Sequence, residues 1–177
     1  MLPIMVNTNH LPVLIVGAGK VAARRARILW ENGAQLTIVA PKLGKAMGKL
    51  LLEDIEAHPQ GAHRIHYLGR AFDSTDVRGF ALILAHATAS VNEDVALASA
   101  KYAKLCLVGG VPEHSGFWMM AHEHLDASDR LNSALDEHLG ESVSTESQKL
   151  TIAVSTHGHP KRSRAVLNTI SDYIQNY

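Results

Sequence analysis

A chain of 177 residues with 46% hydrophobic and 19% charged side chains has the make-up of one ordinary globular domain with a small appendage, which excludes disorder throughout. Seventeen Lys plus Arg balance seventeen Asp plus Glu, so no global basic field exists to hold nucleic acid or an anionic membrane. The apolar runs fall far short of the ~20 residues that span a bilayer, and the start lacks a signal peptide's charged flank and long apolar stretch, so the expectation is a cytoplasmic protein with no nucleic-acid and no membrane partner.

In chain order, apolar β-rich runs at 13–16, 36–40, 64–68, 81–85 and 105–108 alternate with segments of helical period at 21–30, 42–56 and 91–103. Strands that are apolar almost throughout, each followed by a helix with a polar face, are buried on both sides in a parallel sheet with right-handed crossovers. The expected fold class is therefore α/β, a Rossmann-like doubly wound parallel sheet. Cys106 stands alone, which rules out an internal disulfide and a Cys-only zinc site, and its apolar neighbours predict a small buried thiol.

The first strand runs into Gly17-Ala18-Gly19-Lys20-Val21-Ala22, and Gly33 closes the helix that follows. This spacing is the dinucleotide fingerprint with Ala in its third position. Gly17 permits a tight turn, Gly19 lets backbone approach a pyrophosphate, and Ala22 keeps the helix near the strand, so the helix N-terminus faces the phosphates. Gly17, Gly19, Lys20, Val21 and Ala22, with Ala40 and Pro41 at the end of the second strand, are the candidate cofactor contacts. No acid follows that second strand to bind a ribose diol, and Lys42 there is compatible with a 2′-phosphate. The expected cofactor is NAD, with NADP not excluded.

Beyond Val111 the chain turns polar. Residues 122–148 carry Leu125, Leu131, Leu135 and Leu139 at mostly helical spacing, which predicts one amphipathic helix with a loose polar tail. A strand at 150–155 and a turn through His157, Gly158 and His159 follow, then a helix over 161–177 with Val166, Ile170 and Ile174 along one face. This part is too small to fold alone.

Several segments together resemble the precorrin-2 dehydrogenase family, the NAD-dependent module of sirohaem synthases. They are Leu2-Pro3-Ile4-Met5, the run from Val13 through Gly17-Ala18-Gly19-Lys20-Val21-Ala22-Ala23-Arg24, Leu36-Thr37-Ile38-Val39-Ala40-Pro41, Arg70-Ala71-Phe72, Asp76-Val77-Arg78-Gly79, Val91-Asn92, Pro112-Glu113, residues 117–121, and Leu150-Thr151-Ile152-Ala153-Val154-Ser155-Thr156 with Gly158. The resemblance implies an NAD(P)-binding Rossmann-like domain over 1–111, a small α+β dimerisation region over 112–159, and the start of a helical tail over 160–177. It implies a homodimer that oxidises precorrin-2 to sirohydrochlorin with NAD, with Fe(II) or another divalent metal as a second substrate if the chain is also a chelatase.

The chain also departs from that family. Two residues before the Pro-Glu pair, where the family carries a catalytic Asp, stands Gly110, and the end of the fourth strand holds His86, Ala87 and Thr88 in place of Thr-Asp-Asp. His114, four residues after Gly110, and His86 at the nucleotide crevice are the candidate catalytic groups that replace the acid. Ser155, Thr156, His157, Gly158, His159, Lys161 and Arg162 are the candidate contacts to a polycarboxylate tetrapyrrole substrate, with His157 and His159 as candidate metal ligands. His122-Glu123-His124 is the densest cluster of ligand-type residues, but on a helix alternate residues do not share a face, so no chelating pair is expected there. The competing reading is a non-dehydrogenase relative that binds or metallates a tetrapyrrole through its many histidines; a third is a nucleotide-sensing module with no chemistry.

Overall fold

The computed structural model describes residues 2–126, 137, 149–156 and 159–176, in two compact units, Met1–Trp118 and Met119–Tyr177. The first unit holds one parallel sheet of β1 (Pro12–Val16), β2 (Gln35–Val39), β3 (Ile65–Leu68), β4 (Leu82–Ala85) and β5 (Leu105–Val108). Its order is β3-β2-β1-β4-β5, with Val13 paired to Leu36 on one side and to Leu82 on the other. The order reverses between β1 and β4, which opens the crevice where such sheets take ligands. The expected doubly wound fold is the one observed.

Helix α1 (Lys20–Glu31) links β1 to β2, α2 (Lys45–Ala57) links β2 to β3, and α3 (Ala89–Lys101) links β4 to β5. Right-handed crossovers place α1 and α2 on one face and, after the reversal, α3 on the other. Alternation along the strands agrees: Leu14, Val16, Ile83 and Ala85 pack with Val95 and Ala98 of α3, and with Val77 of the short 3-10 turn Asp76–Gly79 that makes the return crossing. Arg70 grips both carboxylate oxygens of Asp76 at 2.7 Å, so the crossing is pinned at its start. Cys106 is buried in the same cluster, as its neighbours in sequence suggest.

On the opposite face one buried acid organises the β3 edge. Asp54 of α2 accepts Trp30 Nε1–H at 2.6 Å, the Arg64 amide at 2.9 Å and the Ile65 amide at 3.0 Å, with His58 Nδ1 at 3.1 Å. A carboxylate with this many donors is stable out of water, and it fixes where β3 begins. Gly33, at φ +85°, ends α1 in the left-handed conformation, and its N–H bonds the Trp30 carbonyl at 3.0 Å.

The second unit pairs β6 (Ala121–Asp126) with β7 (Lys149–Val154) in antiparallel register, and helix α4 (Pro160–Asn176) packs on them. Two sequence expectations are corrected here. Residues 122–126 form strand, not helix: the leucine spacing that suggested a helix begins at Leu125, whose side chain is buried in the unit's small core with Leu167. The remainder of that expected helix, with Leu131, Leu135, Leu139 and His138, lies outside the described residues. The inner line of α4 is Ser163, Leu167 and Ser171, while Val166 and Ile170 stay 38% and 37% exposed. The helix is turned by one residue, ~100°, because its serines have partners within: Ser171 Oγ donates to Glu123 Oε2 at 2.8 Å, and Ser163 Oγ to the His159 carbonyl at 3.2 Å.

Candidate nucleotide-binding site

Gly17 leaves β1 at φ +111°, and a Cβ there would stand 2.3 Å from the His86 carbonyl oxygen, so only glycine lets the β1 and β4 exits approach. Its amide bonds Val39 O at 2.9 Å, and the His86 amide bonds Val16 O at 2.8 Å, which carries the sheet ladder one residue past each strand. Gly19 is the N-cap of α1; among the described residues a Cβ at Gly19 would meet nothing within 4 Å, no side chain caps the helix and no acid lies in its first turn. Unpaired amides at the positive end of a helix, beside an open approach, fit a pyrophosphate. Lys20 and Val21 are exposed around this opening, and Ala22 is fully buried against the sheet.

Sequence reasoning missed Gly44. As N-cap of α2 it donates its amide to Ala18 O at 3.2 Å, and a Cβ there would stand 2.3 Å from the same oxygen. The glycine turn is thus held from outside by the second helix. After β2, Ala40 is buried and its carbonyl accepts the Tyr67 hydroxyl at 2.9 Å, while Pro41 and Lys42 are exposed and no carboxylate is present at the strand end.

The β4 and β5 exits form the other wall. His86 packs against Gly109, and its Nε2 is buried without a hydrogen-bond partner among the described residues. Burial, with Arg25 and then Arg24 adding positive charge nearby, holds the His86 imidazole down at about 4. It is neutral at physiological pH, which suits a hydrogen-bonding contact better than a proton store. Asn92, read in the sequence only as a point of resemblance, is buried at the start of α3; its Oδ1 accepts the Ala87 amide at 2.8 Å and its Nδ2 points to Gly109 O at 3.4 Å. Gly110 follows at φ +82° with open space around it, and His114 is exposed on the 3-10 turn Pro112–His114.

In the second unit, a depression of about 470 Å³ is lined by His159, Pro160, Lys161 and Arg162 at the start of α4. Thr156 is committed to the turn itself: its hydroxyl bonds His159 O at 2.9 Å and lies 2.8 Å from Ser163 Oγ. Ser155 is exposed, and His157 and Gly158 lie outside the described residues. No group of three or more metal-binding side chains occurs among the described residues, and no described helix is long and apolar enough to cross a membrane.

The 3-2-1-4-5 sheet and its glycine turn define a dinucleotide-binding Rossmann module. The chain belongs to the family described as "Putative NAD(P)-binding", whose profile matches residues 4–121. Similar curated proteins are "Siroheme synthase 3" of Aeromonas hydrophila, 51% identical over 49 residues (28% of this chain, 10% of that protein), and "Siroheme synthase" of Methylococcus capsulatus, 33% identical over 102 residues (57% and 20%). "Siroheme synthase 1" of Serratia proteamaculans is 37% identical over 84 residues, 48% of this chain and 16% of that protein. The matches thus cover a fifth or less of those relatives' length. The solved structure of "SirC, precorrin-2 dehydrogenase" shares the fold, with a TM-score of 0.66 at 19% identity over 100% of this chain and 71% of that one. The precorrin-2 dehydrogenase resemblance read from the sequence is borne out at the level of family and fold.

Proposed function

We propose that the chain is an NAD-dependent, precorrin-2 dehydrogenase-like oxidoreductase of sirohaem biosynthesis, acting in the cytoplasm as a homodimer. The observation that supports this most is the glycine turn: its open approach at Gly19 and uncapped α1 amides suit a pyrophosphate, in a fold shared with a precorrin-2 dehydrogenase. When bound, the nicotinamide supplies the hydride acceptor; the overall change is precorrin-2 plus NAD⁺ to sirohydrochlorin, NADH and one proton.

The chain's own residues supply binding and proton handling. Gly19, Lys20 and Val21 border the phosphates, Gly17 turns the chain out of β1 and Ala22 holds α1 against the sheet, while Ala40 and Pro41 border the adenosine side. His86, kept neutral, makes a hydrogen bond at the crevice, and His114 on the turn after Gly110 receives the proton at its imidazole nitrogen. Lys161 and Arg162, beside the α4 depression, attract the carboxylates of a tetrapyrrole.

One observation favours a second reading: Gly110 occupies the place where the resembled family carries its acid, and the neighbouring His86 is a weak base. In that reading the chain binds or metallates a tetrapyrrole without oxidising it. Anaerobic incubation with precorrin-2 and NAD or NADP, following sirohydrochlorin absorbance and reduced nicotinamide together, separates the two. Equal appearance of both above the rate without protein supports the dehydrogenase. No turnover by folded protein retires it, and sirohydrochlorin with Fe(II) then tests the chelatase.

A further inference from the structure

The strand assignment of β6 changes what its histidines can do. On a strand, His122 and His124 project to the same face, and α4 lies over the other, where Glu123 meets Ser171. Same-face neighbours along a strand start about 6.6 Å apart, twice the rise per residue. The two imidazole centres are 5.7 Å apart, so the rings lean together. Two imidazoles that share one ion at Zn–N distances of about 2.1 Å have ring centres roughly 5 to 6.5 Å apart.

The hydrogen bonds orient both rings for this. His122 Nδ1 lies 3.1 Å from Met120 O, and a carbonyl only accepts, so Nδ1 donates there and Nε2 is the nitrogen left for a ligand. His124 Nδ1 lies 2.9 Å from Thr151 Oγ1 on β7, directly opposite in the register, and with Nδ1 donating there its Nε2 is likewise free to coordinate. Metal-binding histidines are set up in this way, with the second nitrogen held by an oxygen. Ala153, the cross-strand neighbour of His122, has no side chain bulky enough to fill the space beside the rings.

We propose that His122 and His124 form a two-histidine site for a late first-row divalent ion, Co(II) through Zn(II), on the face of the β6–β7 ribbon that α4 leaves uncovered. Imidazole is the ligand type these ions prefer, and Cu(II) heads their affinity order. Two protein ligands leave the other coordination positions to water or to an incoming donor, so the site is an exchangeable one. It is distinct from the His157 and His159 turn and does not rest on the dehydrogenase reading.

Titration of the full chain with Cu(II) alone tests this by calorimetry and electron paramagnetic resonance. The expected result is a strongest equivalent with nitrogen couplings from two imidazoles, weakened by about tenfold or more in His122→Asn and in His124→Asn, since each removes one of two ligands. His157→Asn with His159→Asn leaves that equivalent unchanged. Retention of it in the His122→Asn, His124→Asn double variant, or its loss in the His157, His159 variant, overturns the proposal. In the unaltered protein, substoichiometric Cu(II) must broaden the NMR amide signals of 121–125 and 150–153 before any others, a result independent of how the variants fold. First broadening elsewhere also overturns it.

Discussion

The imidazole of His86 rests on Gly109, where a side-chain carbon would come within 2.5 Å of Nδ1 and 3.0 Å of the Ala85 carbonyl. The absence of a side chain just past β5 is what seats a ring at the exit of β4. Gly109→Ala must push the ring out or shift backbone, an overpacking cost of about 1–3 kcal/mol. Denaturant unfolding is expected to show that loss, accompanied by weaker nucleotide binding in calorimetry.

Gly17 and Gly19 are two residues apart but answer to different constraints. Gly17→Ala forces a positive φ on alanine and a clash with His86 O, so stability falls by at least about 2 kcal/mol. Gly19→Ala meets open space in the protein alone, so melting is nearly unchanged while NAD(P) affinity drops about tenfold or more, because the methyl occupies the phosphate approach. Thermal melts beside calorimetric titrations check the separation.

The low affinity of His86 for protons links stability to pH. The group is harder to protonate folded, at about 4, than in the free side chain at 6.5, so its contribution is complete above pH 6.5, declines as pH falls, and is lost by about pH 4. With allowance for solvent screening at a partly open crevice the swing is on the order of 2 kcal/mol. Unfolding free energies measured from pH 4 to 7 are expected to climb more steeply in the native chain than in His86→Asn.

Asp54 serves four donors, and Asp54→Ala leaves the Trp30 indole and two amides at the start of β3 without their acceptor. The expected destabilisation is about 3 kcal/mol or more by chemical denaturation. Hydrogen exchange should locate it at 64–68 first.

Gly110 has open space and a left-handed φ of +82°, which aspartate tolerates better than most side chains. Under the dehydrogenase proposal, Gly110→Asp restores an acid where the resembled family has one, and raises turnover of precorrin-2 at least about tenfold, a conservative share of the roughly hundredfold or more that a well-positioned acid or base contributes. Coupled absorbance of sirohydrochlorin and NADH measures it.

The βαβ half of the chain was legible because its signals are local: continuous apolar strands, a glycine turn between strand and helix, and Gly33 at a helix end. The second unit was not, since its determinants are distant in sequence. Glu123 finds Ser171 across 48 residues, and His124 finds Thr151 across 27. With polar residues on both faces of β6, strand alternation carries no hydrophobic contrast, and a leucine spacing pointed to helix instead. The phase of α4 was hidden for a related reason: serines lie inward because each has a polar partner, which no apolar periodicity reports. At the crevice, glycine spacing located the strand-to-helix turn, but Gly44, Asn92 and Tyr67 support the crevice through backbone contacts that residue type alone does not announce.

The clasp of Gly44 on Ala18 bears on how a nucleotide is received. A loop that must be ordered by its ligand gives up part of the interaction energy as lost chain entropy, whereas this turn is already held by β1, by the exit of β4 and by the N-cap residue of α2. The turn is preorganised, so under the proposed function ligand arrival stiffens little that was loose, and discrimination among nucleotides is expected to fall to the exposed groups beyond the turn, Pro41 and Lys42 above all.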